Sequence, residues 1–424
     1  MRPPRQHDPG DGGGRTPSPP LRHPRSTAAL LRDRTFGPFV VGKVLSSCGI
    51  WVQNIAAAVL MFEITRSAFM VGMVSVLQFA GPLVFALWAG ALNDRRDRRK
   101  LLMAGRVLSG TAVGTLALLV ALLGTTAFGG PPVLLAGVFV MGVGLALSGP
   151  AMQALVPALV PDDDLEPALA LNAAGPSIAR TVGPAVGAGL LVVGGPALAF
   201  AVAAAAHWSF VLVLAVFVRG RPRPRPRTRP RLLGGLRYLA ADRRAGLLML
   251  GVAFIGFGAD PVVTLTPSLA AQLGRGSETV GALATAFGVG AVCMTVLFGR
   301  LRRWITLRWA GIGGFWVLAS GLVLTALAPG VTAAAAGFFV AGAGFMTGTV
   351  ALNTRIQRRV PDELRGRVMA LWSLAFLGSR PFAAFLNGTL ADALSVQAAL
   401  VVSAAVVACA SILARVTYAT RHSG

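Results

Sequence analysis

Apolar runs of membrane-spanning length recur along this chain, six before an arginine-rich interruption and six after it. A helix needs about 20 mostly apolar residues to cross the hydrocarbon core of a bilayer. Such runs cover residues 39–62, 69–92, 101–123, 132–153, 168–193 and 196–218, then 245–271, 279–300, 308–328, 331–353, 367–391 and 394–415. The pattern predicts an all-α membrane protein of twelve spans, and the short connections make successive helices antiparallel neighbours. Of 424 residues, 54% are hydrophobic and 13% charged. A soluble domain carries about 25% charge, so an ordinary soluble protein is excluded, as is disorder over most of the length.

The formal net charge is +23, from 39 lysines and arginines against 16 acidic residues. A charge this large raises the question of nucleic acid, and its distribution answers it. With the N-terminus in the cytoplasm, 34 of the 39 basic residues fall in tails and loops on that side, and only Arg66 and Arg275 on the other. This is the asymmetry of the positive-inside rule. It predicts a multi-pass protein of the cell's inner membrane with both termini cytoplasmic. Charge spread over many short loops builds no face for a nucleic acid. Lys43, Arg180 and Arg380 fall inside spans. Only Lys43 and Lys100 are lysines, and with so much Ala, Gly and Pro this points to a GC-rich bacterium.

Five segments are expected: a disordered basic tail over 1–35, a six-helix bundle over 36–218, an Arg/Pro-rich cytoplasmic linker over 219–244, a second six-helix bundle over 245–416, and a short cytoplasmic tail over 417–424. The first tail has no apolar stretch and is not a secretory signal peptide. In the linker, arginine occupies every odd position from Arg219 to Arg231. Interleaved proline keeps such a segment extended, and residues 219–231 are a candidate contact for anionic lipid, at about 1 kcal/mol per arginine near the surface.

The two halves match at a shift of 200 residues: Val160-Pro161-Asp162-Asp163 with Val360-Pro361-Asp362-Glu363, Ala170-Leu171 with Ala370-Leu371, Arg180 with Arg380, and Leu190 with Leu390. Apolar matches are cheap in membrane helices; the Val-Pro-acidic pair and the intramembrane arginines are not. Two six-helix repeats are one of the known transporter architectures, with the substrate path between the halves near the midplane.

Other chemistries find little support. Cys48, Cys293 and Cys409 are widely spaced in apolar runs, and three of the four histidines (His7, His23, His207 and His422) lie in polar tails. No disulfide framework, metal site, catalytic triad or cofactor follows, and no enzyme is expected. Asp162, Asp163, Asp164 and Glu166 stand just before a span, where they are expected to cap a helix rather than hold magnesium. Gly142–Gly144 follows no strand, which excludes a phosphate loop. His207 is expected to sit between helices or at the lipid boundary.

Between the second and third runs stands Gly90-Ala-Leu-Asn-Asp94-Arg95-Arg96-Asp97-Arg98-Arg99-Lys100. It resembles the G-x-x-x-D-R-x-G-R-R signature of the major facilitator superfamily, matching at Gly90, Asp94, Arg95, Arg98 and Arg99, with Asp97 in place of the usual glycine. In that family the aspartate pairs with basic side chains and the start of the eleventh helix, latching the cytoplasmic side; here Arg365 and Arg367 precede that helix. The fifth run holds Gly175, Gly183, Pro184 and Gly187, similar to the G-P-x-x-G-G motif of drug–proton antiporters, in which these residues kink and pack the fifth helix. Ala188 departs from that motif. With Trp51-Val-Gln53-Asn54, Gly235-Leu-Arg-Tyr238-Leu and the stretch from Arg359 to Trp372, the chain resembles the drug:proton antiporter-3 branch, which holds macrolide efflux proteins and the enterobactin exporter.

The resemblance implies a twelve-helix facilitator fold and proton-motive-force-driven efflux of a small organic molecule, whether drug, antibiotic or siderophore. It implies alternating access, no ATP, and a monomer in the bilayer. It places the cavity on spans one, four, seven and ten, where Gln53, Asn54, Gln153, Thr347 and Asn353 are the polar candidates, with Asn172 and Asn387 on flanking spans. Glu63, Glu278 and Asp392 lie near outer span ends, and Asp260 alone among the acidic residues is near the middle of a run. Ionisable groups inside a span are functional candidates by default. Burial and a nearby arginine act on its ionisation in opposite senses, so Asp260 with Arg180 or Arg380 is the expected proton-coupling device; a structural ion pair is the alternative. A proton-coupled importer and a non-transporting sensor of the same fold also remain open.

Overall fold

The computed structural model describes residues 25–218, 232–274 and 276–419, and within them all regular structure is helical. A short helix, α1 (Thr27–Leu31), leads into α2 (Phe36–Thr65), α3 (Ala68–Arg95), α4 (Arg98–Ala127) and α5 (Gly130–Leu159). A 3-10 turn over Asp162–Asp164 precedes α6 (Leu165–Val216). After the linker come α7 (Leu232–Ala241), α8 (Arg243–Gly258), α9 (Pro261–Thr264) and α10 (Thr266–Gln272). The chain ends with α11 (Ser277–Leu301), α12 (Leu307–Ala326), α13 (Val331–Arg359), α14 (Asp362–Ala393) and α15 (Val396–Ala419).

Local chemistry sets the helix starts. Ser67, Asp97, Asp242 and Thr306 each accept backbone N–H groups from the first turn of α3, α4, α8 and α12, which would otherwise lack partners.

Ten helices among the described residues are long and apolar enough to cross a membrane, against twelve runs in the sequence. Two elements account for the difference. α6 takes in both the fifth and sixth runs, and its 52 residues would make a straight rod about 78 Å long, far beyond a bilayer core of about 30 Å. Its backbone leaves helical geometry at Gly194 (φ −147°, ψ 17°) and Gly195 (φ 66°, ψ −167°), the second of which only glycine adopts readily. In α15, the described apolar stretch is only Val396–Ser411.

The seventh run, expected unbroken over 245–271, is divided into α8, α9 and α10. Pro261 lacks the N–H that would continue the ladder. Asp260 N–H takes the Phe257 carbonyl instead at 3.1 Å, a tighter turn that ends α8. Pro267 stands just after the second interruption, at Leu265.

Small residues let the backbones approach, as membrane helix packing requires. Gly81 of α3 lies against Gly142 of α5, Gly105 of α4 against Gly144 of α5, and Gly314 of α12 against Gly348 of α13. Helices before the linker pack chiefly on one another, as do those after it. Two long crossings join the parts: α3 against α14, and α6 against α11. At the second, a Cβ on Gly288 would come within 2.8 Å of Thr181 Cα.

Residues 25–35, read from the sequence as part of a disordered tail, are ordered. Ser26 caps α1, and Asp33 accepts from the Thr35 and Phe36 N–H groups where α2 begins. The acidic run expected to cap α6 does not do so at Asp164, whose carboxylate accepts from Arg25 N at 2.8 Å and Arg25 Nε at 2.6 Å. The second half of the linker folds as α7, with Gly235 against Leu371 and Arg367 of α14. The 219–231 lipid contact, most of the first tail and the chain's last residues fall outside the described residues.

Candidate functional site

Arg180 and Arg380, the pair related by the internal repeat, line one narrow cavity between the two parts of the chain, with Trp51, Pro184, Val262 and Phe287 around them. Each lays its guanidinium on an aromatic ring of the opposite part. Arg180 on α6 has its Cζ 4.8 Å from the Phe345 ring on α13 and 5.8 Å from Trp51 on α2. Arg380 on α14 has its Cζ 5.4 Å from Phe79 on α3 and 5.7 Å from Phe376 one turn back. Trp372 stacks on Phe376 at 5.4 Å, the planes 8° apart. Arg380 is 7% exposed, and the Nε atoms of both arginines are shut off from solvent with no hydrogen-bond partner. Ring faces stabilise a desolvated cation by about 0.5–2 kcal/mol, less than full hydration would.

Asp260 is 3% exposed and stands where α8 gives way to α9. Its Oδ2 accepts from Asn387 Nδ2 at 3.0 Å, and Asn387, on α14, accepts from Ser403 Oγ on α15 at 2.5 Å. The direct partner is therefore an amide. Among the described residues neither arginine forms an ion pair with Asp260; Arg380 acts on it through space. Arg180 and Arg380 repel one another in the same way.

A second polar cluster lies inside the first part. Lys43 Nζ donates to Asn172 O at 2.7 Å and also to Asn172 Oδ1, while Asn172 Nδ2 donates to Gln153 Oε1 at 3.1 Å. His207 is fully buried between helices, its Nδ1 3.0 Å from Ser46 Oγ and its Nε2 3.4 Å from Gln53 Oε1. Gln53 also reaches Met141 Sδ. Arg106, counted with the cytoplasmic basic residues although it lies inside the 101–123 run, is 2% exposed and 6.0 Å from the Phe210 ring. α4 starts at Arg98 rather than at residue 101, which carries Arg106 two turns into the helix.

The other expected residues scatter. Thr347 turns its hydroxyl back to Ala343 O at 2.8 Å, and Asn353 accepts from Gln357 of its own helix at 3.1 Å. Gln153 is exposed and Asn54 buried. Gly175, Gly183 and Gly187 seat α6 on α2: a Cβ at Gly183 would lie 2.5 Å from Trp51 Cβ, and one at Gly187 3.2 Å from Val52 Cα. The backbone stays helical through this motif and breaks later, at Gly194. Gly90, Asp94 and Arg95 close α3, with Arg98 and Arg99 opening α4. Arg99 donates to Leu214 O and Ala215 O at 2.8 Å each, tying α4 to the end of α6 within one part.

A charged tie between the two parts is found at the opposite end of α3. Asp392, at the end of α14, accepts from Ser67 Oγ at 2.5 Å, Ala68 N at 2.7 Å and Phe69 N at 3.0 Å. The sequence carried a weak signal for it. A carboxylate in the last turn of a helix opposes that helix's own dipole and is stabilised by the N-terminus of another.

The sequence profile of a family described as transmembrane secretion effector matches residues 25–422. The chain belongs to the transmembrane secretion effector family. It is thereby a transporter of the major facilitator superfamily. It is 26% identical over 410 residues to a protein of Escherichia coli (strain K12) named enterobactin exporter EntS, covering 93% of this chain and 94% of that one. The corresponding protein of Shigella boydii serotype 18 is 26% identical over 377 residues. Among solved structures, a bacterial homologue of the human lysosomal transporter Spinster superposes with a TM-score of 0.75 at 14% identity, covering 93% of this chain and 97% of that one. A bacterial homologue of the iron transporter ferroportin gives 0.70 at 17%, covering 94% and 100%. Both solved structures show that the chain has the facilitator fold. Among its described residues no three His, Cys, Asp or Glu side chains cluster as a metal site would require.

Proposed function

We propose that this transporter is a proton-motive-force-driven exporter of a small organic molecule, built as twelve spans in two six-helix bundles over 36–218 and 245–416, with both termini cytoplasmic. The glycine break that divides α6 into two crossings supports the span count, and the loop arginines support the orientation. The likeness in sequence to enterobactin exporters supports the outward direction.

The observation that carries the reading is Asp260, a buried carboxylate at a helix break, held by Asn387 and within the field of Arg380. Proton uptake there removes the negative charge beside Arg380 and an acceptor from Asn387. Two guanidinium groups are then left repelling across the seam, and the crossings α3–α14 and α6–α11 part. Proton release restores the carboxylate and the closed packing. Gly90, Asp94, Arg95, Arg98 and Arg99, with the start of α14, serve as the cytoplasmic latch, and Gln53, Asn54, Gln153, Asn172, Thr347, Asn353 and Asn387 are the polar candidates for the substrate path.

The test uses a substrate found by screening efflux in a pump-deficient host. Inverted vesicles with an acid interior should accumulate it, Asp260→Asn vesicles should not, and the mutant should keep its expression and substrate binding. Uphill accumulation by the mutant would overturn the role of Asp260. Uptake into intact cells that rises with expression would reverse the direction and make the protein an importer.

A further inference from the structure

We infer that Arg180 and Arg380 are the docking site for a planar anionic head group of the transported molecule, and that the substrate class is organic monoanions such as aromatic carboxylates. The inference rests on the small-molecule transport reading above.

Charge is the first support. Around the cavity stand two guanidinium groups and, among the described residues, one carboxylate acting on either of them, that of Asp260. One positive charge is left without a counter-ion where water is scarce, and an unpaired buried ion is strongly unfavourable. A monoanion between the arginines brings the sum to zero.

Geometry is the second support. A structural arginine in a membrane protein ordinarily spends its donors on a carboxylate or on backbone carbonyls. Here both Nε donors are buried, partnerless and beside the same cavity. A guanidinium fork fits the two oxygens of a carboxylate better than any other common group.

The walls supply the rest. Trp51, Phe287, Val262 and Pro184 line the same cavity and give it apolar walls beside the two arginines, suited to an apolar body. A cationic ligand would meet two like charges already repelling, so the same site selects against it. The arginines come from opposite parts of the chain and each stacks on a ring of the other. An anion bridging them therefore binds one arrangement of the halves better than the other, which is what coupling binding to conformation requires.

Equilibrium dialysis of the purified full-length protein in lipid nanodiscs tests this with three probes of one shape and different charge: 2-naphthoate, 2-naphthamide and 2-naphthylmethylammonium. Naphthoate should bind saturably, above empty nanodiscs, and about tenfold or more tighter than the amide, the ammonium ion binding weakest. Arg180→Gln and Arg380→Gln should each weaken naphthoate about tenfold, the loss expected for a charge-assisted contact. Arg180→Lys, which keeps the charge, should lose less. Equal or tighter binding of the amide or the ammonium ion would overturn the site, as would naphthoate binding unchanged in both glutamine variants, or no saturable naphthoate binding. The charge series uses the unmodified protein, so it decides the matter even where a variant fails to fold. No gradient is present, so loss of coupling in Asp260→Asn does not touch this result. Failure of naphthoate binding would in turn leave proton-driven export standing.

Discussion

Replacing Asp392 with alanine should open the seam at the end of α3 and α14 remote from the arginine-rich loops. The carboxylate receives three hydrogen bonds, at 2.5, 2.7 and 3.0 Å, from the first turn of a helix in the other half. A charge-assisted bond nets about 1.5–3 kcal/mol when shielded, and the N-terminal dipole adds about 0.3–1 kcal/mol. Asp392 is exposed, so water recovers much of that. We take about 1–2 kcal/mol for the whole contact, or about five- to thirtyfold in the ratio of closed to open. The Phe69–Phe385 edge contact at 5.7 Å and the close approach of Gly388 to the Ala68 backbone remain, so the end should loosen rather than come apart. Spin labels at Arg66→Cys and Leu394→Cys, with Cys48, Cys293 and Cys409 replaced, would report the separation. A second pair at Arg96→Cys and Arg358→Cys would report the other end. Asp392→Ala should turn a minor long-distance population of the first pair into a major one while the second pair shortens. An unchanged distribution at both pairs would refute the assignment of Asp392 as a tie between halves.

Two further outcomes follow from local packing and charge. Asp242 caps α8 and lies 2.5 Å from Arg359 Nε; burial works against its charged form, but the bonds from Arg359 and from the α8 backbone outweigh it and hold its carboxyl below the usual range. A lowered folded value means stability fully present above the unfolded value of about 3.9 and lost as the pH falls from there through the lower folded value. Asp242→Asn should therefore lower the thermal midpoint at pH 7, by a difference that shrinks as the pH falls below about 4, and an undiminished difference in acid would count against the pair. Gly288→Val should force α11 away from α6, since its Cβ would meet the Thr181 backbone, whereas Gly299→Val on the same helix has open space. Overpacking of this kind destabilises by about 1–3 kcal/mol, so the first variant should lose transport and several degrees of midpoint and the second neither, as a reconstituted transport assay with parallel thermal unfolding would show.

The bilayer itself makes much of this fold legible. Span length and the sidedness of arginine answer to the membrane and not to neighbouring helices, which is why an all-α multi-pass chain could be read from apolar runs alone. Asp260 stood out for a related reason, because an ionisable group in mid-run must have a use or a partner. The partner was not legible. Asn387 lies 127 residues away, and nothing local marks it among the polar residues of α14. Arg106 was hidden by the same local view: a long basic side chain near a helix end counts as loop charge until neighbouring helices are seen to bury it. The merging of two runs into α6 depends on the backbone at Gly194 and Gly195, in a sequence where glycine is everywhere and seldom signals a turn.

The repeat is symmetric in its arginines and asymmetric in what surrounds them. At the shift of 200 that pairs Arg180 with Arg380, Asp260 corresponds to Leu60, Asn387 to Gly187 and Ser403 to Ala203. Leu60 and Ala203 are fully buried and apolar, and Gly187 serves to bring α6 onto α2. The first half therefore has no carboxylate to offer its arginine, and no amide and hydroxyl to hold one. Had the repeat kept an acid at position 60, each half would neutralise its own arginine and the seam would hold no charge for a ligand to meet. With one acid in place of two, the closed seam carries a single positive charge while Asp260 is ionised. On the proposed reading a monoanion cancels it, so the loaded seam closes neutral, whereas the empty one must carry its charge through a region of low dielectric. The membrane potential acts on that difference. A single charge moved across 100 mV is worth about 2.3 kcal/mol, and with the cell interior negative this draws the empty, positive site back toward the cytoplasm. The asymmetry of the repeat thus gives the electrical part of the proton-motive force a step to act on, the return of the unloaded transporter.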